Sequence, residues 1–517
     1  MTGPRLVAHR GLHGNAGGGA RENTLAAVQA ALDAGLTWIE IDVRVTSDAH
    51  VVLLHDPTLE RLWGDPRAIT DVSLDEVREL GGGQRRIPLL TEALALVAGT
   101  DATLLIDIDD ADVAPTAAQL VATSETKART AWCGHPNAMR QVREVIPEAA
   151  VWTPWYSAEP PVAADLHGVT LINAQHLLVG PAFVEAMHAQ GVEVAVWTVD
   201  DAAQAAHLAA IGVDSITTNR AQVVASAVAS GTVDDRARQA SIALELADHA
   251  AEATARARRV GVGPVETKTG PADHVTEVDR EIERRVREVL RAQFPDHDMV
   301  GEEYGGTHDG DRPCWYLDPV DGTANLANGF PWTSFSLALV ENDRPVVGVV
   351  LDPVSDRPDG GPTPVPVLAI EGRGSWRAGE QLRTSPNLGA DPLSGALVIT
   401  ELDGARAWPG LHDLLDALAE RHCTMRVPGS GTATLAGIAM GRGVAAIIHR
   451  YSPLDHAAAA LVVLEAGGTV LDGHGEPNPH PVGSTVVAGA DERAATALWR
   501  QWQETSPWEH DLGSRTA

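Results

Sequence analysis

The sequence predicts an α/β chain of more than one domain, beginning with a (β/α)8 barrel. Three observations predict it. At 517 residues the chain is too long for a single core. Over residues 1 to about 230, nine short apolar runs alternate with Ala/Leu-rich segments of helical spacing, and such alternation implies a parallel sheet. The polar residues of this region gather at the C-terminal ends of the runs, on the rim where barrel enzymes build their sites.

Hydrophobic content is 44% and charged content 21%, as in globular and not disordered chains. The net charge of −31 argues against nucleic acid and anionic membranes as partners. It also repels anionic substrates, so a phosphate site needs local cations, either a metal or placed arginines. Lysine occurs only at Lys127 and Lys268, which reads as coding bias. Cys133, Cys314 and Cys423 are far apart with no C-x-x-C pair; this fits a reducing compartment and disfavours a disulfide framework or a zinc site. The N-terminus MTGPRLVAHRGL lacks the charged and apolar regions of a signal peptide. No apolar run approaches the ~18 residues of a membrane span. A cytoplasmic protein with no membrane insertion is expected.

The runs are Leu6–His9, Trp38–Val43, Val51–His55, Thr103–Ile108, Thr130–Cys133, Val151–Thr153, Val169–Asn173, Val192–Thr198 and Ile216–Asn219. Eight suit the barrel, and Val51–His55 is the expected extra strand, returning antiparallel as a hairpin. Thr24–Ala34 and Asp200–Ile211 exemplify the helices. The first run ends in His9-Arg10-Gly11. The second holds Glu40 and Asp42, two apart and so on one side of a strand. The third ends in His55-Asp56, and Glu22-Asn23-Thr24 opens the first helix. One histidine at a strand end is usually structural. Two histidines, an arginine and a carboxylate pair on one rim point to a site.

The motifs HRG at 9–11, ENT at 22–24, EID at 40–42, HD at 55–56 and VWTVD at 196–200 resemble the glycerophosphodiester phosphodiesterase family in order, over a first domain of residues 1–231. The resemblance implies a TIM barrel with a divalent metal, Mg²⁺ or Ca²⁺, on Glu40 and Asp42. It implies that His9 and His55 are the general acid/base pair and that Arg10 meets the phosphate. One stretch departs. Where the family has Glu-x-Lys, this chain has Asp107-Ile108-Asp109. Asp107 can still ligate metal, one methylene shorter. Asp109 reverses the charge of a phosphate-binding lysine, which implies a second cation, a different head group or reduced activity.

Ser230-Gly231-Thr232 reads as a connector, and Asp234–Val260 as a long helix. Lys268-Thr269 falls in a polar loop, followed by a helix of about 280–294 and a short strand at Met299-Val300. Trp315–Thr323, WYLDPVDGT, reads as a buried strand running into Asp318 and Asp321. Two close carboxylates repel unless something positive lies between them, and a hard divalent cation is the simplest partner. Gly322 and Thr323 can open a helix whose N–H groups face an anion. The plainer reading is an Asx-turn pair shaping a loop. Further on come strands at Thr333–Val340 and Val346–Asp352, a helix near Gly431–Met440, a strand at Val444–Ile448, and a helix Ala457–Glu465 closed by Gly467-Gly468. Asp455, just before that helix, taken alone is an ordinary N-cap.

VTEVD at 275–279, GEE at 301–303, DPVDGTANLANGFP at 318–331, GSGTATL at 429–435 and PLD…EAGG at 453–468 together resemble the inositol monophosphatase family. The resemblance implies a layered α/β sandwich over residues 232–517. It implies two or three Mg²⁺ held by Glu302, Asp318, Asp321, Asp455 and the Val320 carbonyl, with Asp279 helping. Glu302 and Thr323 would act in catalysis, Thr323 by orienting the attacking water; Gly322 and Thr323 would bind phosphate. Two features depart from the family: Leu454 replaces a tryptophan, and Ala446–Ser452 lacks the usual acid and carries His449 and Arg450 instead. That pair reads as a contact for a substrate with extra negative charge, or as a solvated turn. The expected protein is a bifunctional hydrolase of lipid metabolism, cleaving a glycerophosphodiester in the barrel and a small phosphomonoester (inositol, glycerol or related polyol phosphate) in the second domain. The alternative is an active phosphatase whose barrel is a ligand-binding or docking module. Small phosphorylated substrates are the expected partners, and a homodimer through the phosphatase domain is compatible with the resemblance.

Overall fold

The computed structural model describes residues 3–14, 18–267, 274–355, 364–404 and 406–506, so Lys268 and Thr269 lie outside the described residues. The chain divides into two compact units, Met1–Arg238 and Gln239–Ala517. No described helix is long and apolar enough to cross a membrane.

The first unit has strands β1 (Arg5–Ala8), β2 (Trp38–Val45), β3 (Val51–Leu53), β4 (Thr103–Ile108), β5 (Thr130–Gly134), β6 (Ala150–Val151), β7 (Thr153–Trp155), β8 (Leu171–Gln175), β9 (Glu193–Trp197) and β10 (Ser215–Thr218). All but β3 pair in parallel, in the order β6-β5-β4-β2-β1-β10-β9-β8-β7. β6 and β7 are separated by Trp152 alone. They form one interrupted stave, and the eight staves close a barrel. The run Val151–Thr153 is therefore not the single strand the sequence suggests. Its middle residue, Trp152, turns into the barrel and packs with Val7, Leu105, Ala131, Leu171 and Ala195. β3 folds back antiparallel on β2, with Leu53 opposite Val43.

Strand parity places the chemistry. Ile39, Ile41, Leu104, Ile106 and Ile108 face the helical layer and share its core. Their neighbours Glu40, Asp42, Leu105 and Asp107 consequently face the barrel interior. Thr24 caps the helix Leu25–Asp33 and Asp201 caps Ala202–Ala210 through side-chain bonds to backbone N–H groups.

The second unit adds β11 (Glu266–Thr267), β12 (His274–Val275), β13 (Asp298–Gly301), β14 (Gly305–Thr307), β15 (Cys314–Asp321), β16 (Ser334–Glu341), β17 (Arg344–Asp352), β18 (Val365–Ile370), β19 (Gly374–Arg377), β20 (Glu380–Gln381), β21 (Leu397–Thr400), β22 (Thr424–Arg426), β23 (Ala445–Ile448), β24 (Thr469–Leu471) and β25 (Val486–Gly489). One sheet runs β14-β13-β15-β16-β17-β18-β19-β20 and another β22-β21-β23-β25-β24. The helices Gly431–Ala439 and Pro453–Glu465 fill the space between the sheets, with Val350 and Val367 on one side and Ala446 and Val486 on the other. Leu411–Glu420 and Glu492–Thr505 cover the outer face of the smaller sheet. Glu277–Gln293 packs against β15. The result is a layered α/β sandwich.

Two helices begin earlier than their apolar periodicity suggests. Glu277–Gln293 starts with a capping box between Thr276 and Asp279. Pro453 occupies the first turn of Pro453–Glu465, where its missing N–H costs nothing. Asp455 is thus inside the first turn and is not the cap; Ser452 is. Gly348 on β17 lets this helix sit close, since a Cβ there would lie 2.9 Å from Ala458 Cα.

Candidate active sites

The barrel mouth encloses a cavity of about 350 Å³ lined by His9, Arg10, Glu40, Asp42, His55 and Asp107, among others. One carboxylate oxygen each of Glu40, Asp42 and Asp107 lies within 4.8 Å of the others, a spacing that can hold a metal ion. Glu40 Oε1 and Asp107 Oδ1 are buried and accept no hydrogen bond among the described residues. Burial, then Asp42 and Asp107, pushes the Glu40 carboxyl well above its usual range. Burial, then Asp42 and Asp109, pushes Asp107 up to about 7. This is a knot of negative charge with unfilled acceptors, and a cation fits it. β5 is shaped around it: at Gly134, with φ +113°, a Cβ would lie 2.3 Å from the Ile108 carbonyl oxygen and 2.6 Å from Asp107 Oδ1.

The two histidines are oriented by different partners. His9 Nδ1 lies 2.8 Å from Asn219 Oδ1, while the Asn219 amide donates to Asp200 Oδ2 at 2.7 Å. A carboxylate can only accept, so the Asn219 oxygen must face His9. His9 therefore donates from Nδ1 and turns Nε2, bare when neutral, to the site. Burial, then the Arg10 charge, lowers the His9 pKa. His55 Nδ1 instead meets the Asp56 carboxylate at 2.7 Å, and Arg61 bridges Asp56 to Glu22. Arg10 donates to Glu22 at 2.9 Å and stands 3.3 Å from Asp42. Against the upward pull of burial, Arg61 and Arg10 hold Glu22 down at about 2. Asn23 donates to Asp42 at 2.7 Å. Asp109 is largely exposed, with Arg44 3.7 Å away. The orienting roles of Asn219, Asp200, Arg61 and Asn23 were not evident in the sequence, although Asp200 closes the VWTVD motif.

In the second unit, the β15–β16 register shifts between Asp318 and Asp321. This irregularity lets both carboxylates leave the regular alternation. Asp318 is pushed well above its usual range by burial, then by Glu302, Asp321 and Asp455, and it shares a side-chain hydrogen bond with Glu302. Asp455 is raised likewise by burial, Asp321 and Glu302. Four carboxylates from three elements thus converge, and a cationic filling fits them. Asp321 is steered by Ser430 Oγ at 2.7 Å and Thr432 N at 2.6 Å. Thr323 Oγ1 is 3.0 Å from Asp279 Oδ1 and 2.9 Å from the Val320 carbonyl. Its single proton is engaged there, leaving its lone pairs to accept from a water. Gly322, with φ +90°, caps a helix of one turn, Thr323–Ala327. Glu401 escaped the sequence reading. It is buried, accepts from Gly429 N at 2.8 Å, and is pushed up to about 7 by burial first and by Asp321. His449 stacks on Trp408 with centroids 5.6 Å apart, and Arg450 is exposed with Asp403 3.8 Å away.

The profile of the inositol monophosphatase family matches residues 235–504, more than half of the chain. The chain belongs to the inositol monophosphatase family. The glycerophosphoryl diester phosphodiesterase family matches residues 9–223, so the two segments both belong to families of phosphoric ester hydrolases, in the order their motifs suggest. Inositol monophosphatase 2 of Solanum lycopersicum is 36% identical over 216 residues, 40% of this chain and 77% of the relative. A fructose-1,6-bisphosphatase/inositol-1-monophosphatase of Thermotoga maritima is 35% identical over 216 residues, 42% of this chain and 77% of the relative. Among solved structures, a Thermotoga maritima IMPase covers 52% of this chain and 98% of its own at 27% identity and a TM-score of 0.44. A glycerophosphodiester phosphodiesterase of Parabacteroides distasonis covers 44% and 98% at 23% identity and a TM-score of 0.39.

Proposed function

We propose that the chain is a bifunctional phosphohydrolase, with a diesterase domain at residues 1–231 and a monoesterase domain at 232–517. The observation that carries this reading is the pair of separate groups of buried carboxylates, each beside hydrogen-bonding groups fit for its reaction. A divalent cation in each cluster, Mg²⁺ or Ca²⁺ in the barrel and two or three Mg²⁺ in the second domain, would polarise the phosphoryl oxygens and lower the pKa of water.

In the barrel Glu40, Asp42 and Asp107 hold the cation and Arg10 faces the phosphate. His9 accepts a proton at Nε2, being neutral and fixed by Asn219. His55, oriented by its hydrogen bond to Asp56, donates a proton to the leaving alcohol. In the second domain Glu302, Asp318, Asp321, Asp455 and the Val320 carbonyl are the ligand set, with Asp279 beside it. Thr323 holds the attacking water, and Glu302 takes part in its activation. Gly322 and Thr323 N–H groups meet the phosphate. The diester is a glycerophosphodiester, and the monoester an inositol, glycerol or related polyol phosphate. Fusion raises the effective concentration of an intermediate at the second site. His449 and Arg450 are the remaining substrate-contact candidates; the Trp408 stack favours a structural role for His449. Incubating the full chain with glycerophosphoinositol and Mg²⁺ should release free phosphate. No release, with simple monoesters still hydrolysed, would leave a phosphatase carrying a binding barrel.

A further inference from the structure

We propose that Asn173 is the residue by which the barrel selects its alcohol: the side-chain amide binds a free hydroxyl of a polyhydric alcohol esterified to the phosphate. The proposal rests on the reading of the barrel as a diesterase, and it adds what the site recognises beyond the phosphate.

On β8, Leu171 packs inside the barrel while Ile172 and Ala174 face the helical layer. Asn173 therefore points inward as well, one layer nearer the C-terminal mouth. It lines the cavity that also holds Glu40, Asp42 and Asp107. Three staves lie between β8 and β2 in either direction, so Asn173 faces Glu40 and Asp42 across the barrel. It is 8% exposed, and its Oδ1 is buried and accepts no hydrogen bond among the described residues. A buried amide oxygen of this kind is otherwise paired. Its neighbours in register are Pro154 on β7 and Ala195 on β9. Neither has a side-chain donor, so the donor must come from the cavity. The surroundings fix what that donor is attached to. Trp197 and Tyr156 line the same cavity, and aromatic side chains offer apolar faces to a carbon skeleton. A hydroxyl both donates and accepts, so it matches the amide whichever way the amide is turned. Carbon on the rings and oxygen on the amide is the pattern of a polyhydric alcohol. An alkyl or aryl alcohol in its place would leave Oδ1 bare, and a site built to bond a hydroxyl rejects the analogue that lacks it. The competing explanation is a water held on Oδ1 that no alcohol displaces, with Asn173 only shaping the wall.

Two diesters that differ only in their hydroxyls separate the two: glyceryl 4-nitrophenyl phosphate and propyl 4-nitrophenyl phosphate. Released 4-nitrophenolate reports cleavage of each by the full chain. Wild type should prefer the glyceryl ester in kcat/KM by at least about 10²-fold. Asn173→Leu, close in size but without the amide, should erase most of that preference by slowing the glyceryl ester while leaving the propyl ester unchanged. Asn173→Ser, which keeps one hydrogen-bonding group, should restore part of it. A wild type that cleaves both esters equally, or a preference that survives in Asn173→Leu, overturns the role of Asn173 and leaves the diesterase reading standing. Equal loss on both esters in both variants also overturns it, because Asn173 is then structural. If wild type cleaves neither ester, the diesterase reading fails, and calorimetric titration with the same two esters then reads the preference as a ratio of Kd: equal Kd values overturn the recognition role too, and tighter glyceryl binding lost in Asn173→Leu upholds it.

Discussion

Asp107→Asn should stabilise the barrel without cation and weaken it with one. Asp107 is held at about 7, by burial and by Asp42 and Asp109, against an ordinary value of 3.8. Because the folded pKa is raised, the favourable contribution is complete below pH 3.8 and is lost as pH rises through 7. At about 1.4 kcal/mol per unit, the cost at pH 7 is at most about 4 kcal/mol. Sharing of protons with Glu40 reduces this, so a gain of about 2–4 kcal/mol is expected for the amide in a chelator-containing buffer. Little is lost in exchange, since Oδ1 accepts no hydrogen bond among the described residues and Oδ2 faces only the weak Cys133 donor. A ligand at a hundred times its dissociation constant stabilises wild type by about 2.7 kcal/mol, and the variant should forfeit most of that. Urea unfolding of the first transition, at pH 5 and pH 7, with chelator and with cation, measures all four corners. Wild type in chelator should be more stable at pH 5 than at pH 7, and the variant nearly flat. A variant less stable than wild type in chelator at pH 7 would refute the reasoning.

Asp200→Ala should release Asn219 and let the His9 ring turn. Diesterase kcat should fall by about 10²-fold with KM little changed and monoester hydrolysis intact, as read by steady-state kinetics on each substrate. Gly134→Ala places a Cβ 2.3 Å from the Ile108 carbonyl oxygen; it should abolish diesterase activity and lower the barrel transition by about 2–4 kcal/mol while sparing the second. His456 is held at about 3 by burial. Since that folded value is depressed, stability is complete above 6.5 and falls as pH drops toward 3, by up to about 1.4 kcal/mol per unit. Denaturant titrations of the second transition at pH 7 and 5 should show this slope, reduced in His456→Gln.

Much of the fold could be read from the chain because parity and spacing are local. Glu40 and Asp42 announce an inward carboxylate pair beside Ile39 and Ile41, and WYLDPVDGT announces a strand that breaks at its acids. What was not legible depends on distant partners. The Asn219 relay joins His9 to a residue 210 positions away, and nothing near either marks the bond. Glu401 reaches Thr434 and Gly429 from a stretch with no motif. Val151–Thr153 reads as one strand because Trp152 is apolar like its neighbours; only the closed barrel shows that its ring belongs inside. The early start at Pro453 was legible in principle from a proline at the first helical position, but the alanine run after Asp455 gave the stronger periodic signal. The strands β18, β19, β21, β24 and β25 lack ordered motifs, and they took shape only through the sheets that hold them.

The central claim is that one chain carries two phosphate-ester chemistries acting in sequence. A phosphorus NMR time course on the full chain with glycerophosphoinositol and divalent cation tests it most directly. Wild type should pass from diester through monoester to free phosphate. Asp321→Asn should stop at the monoester, and His55→Ala should leave the diester unconsumed. A diester signal that never falls in wild type, while added monoester is hydrolysed, would contradict the account.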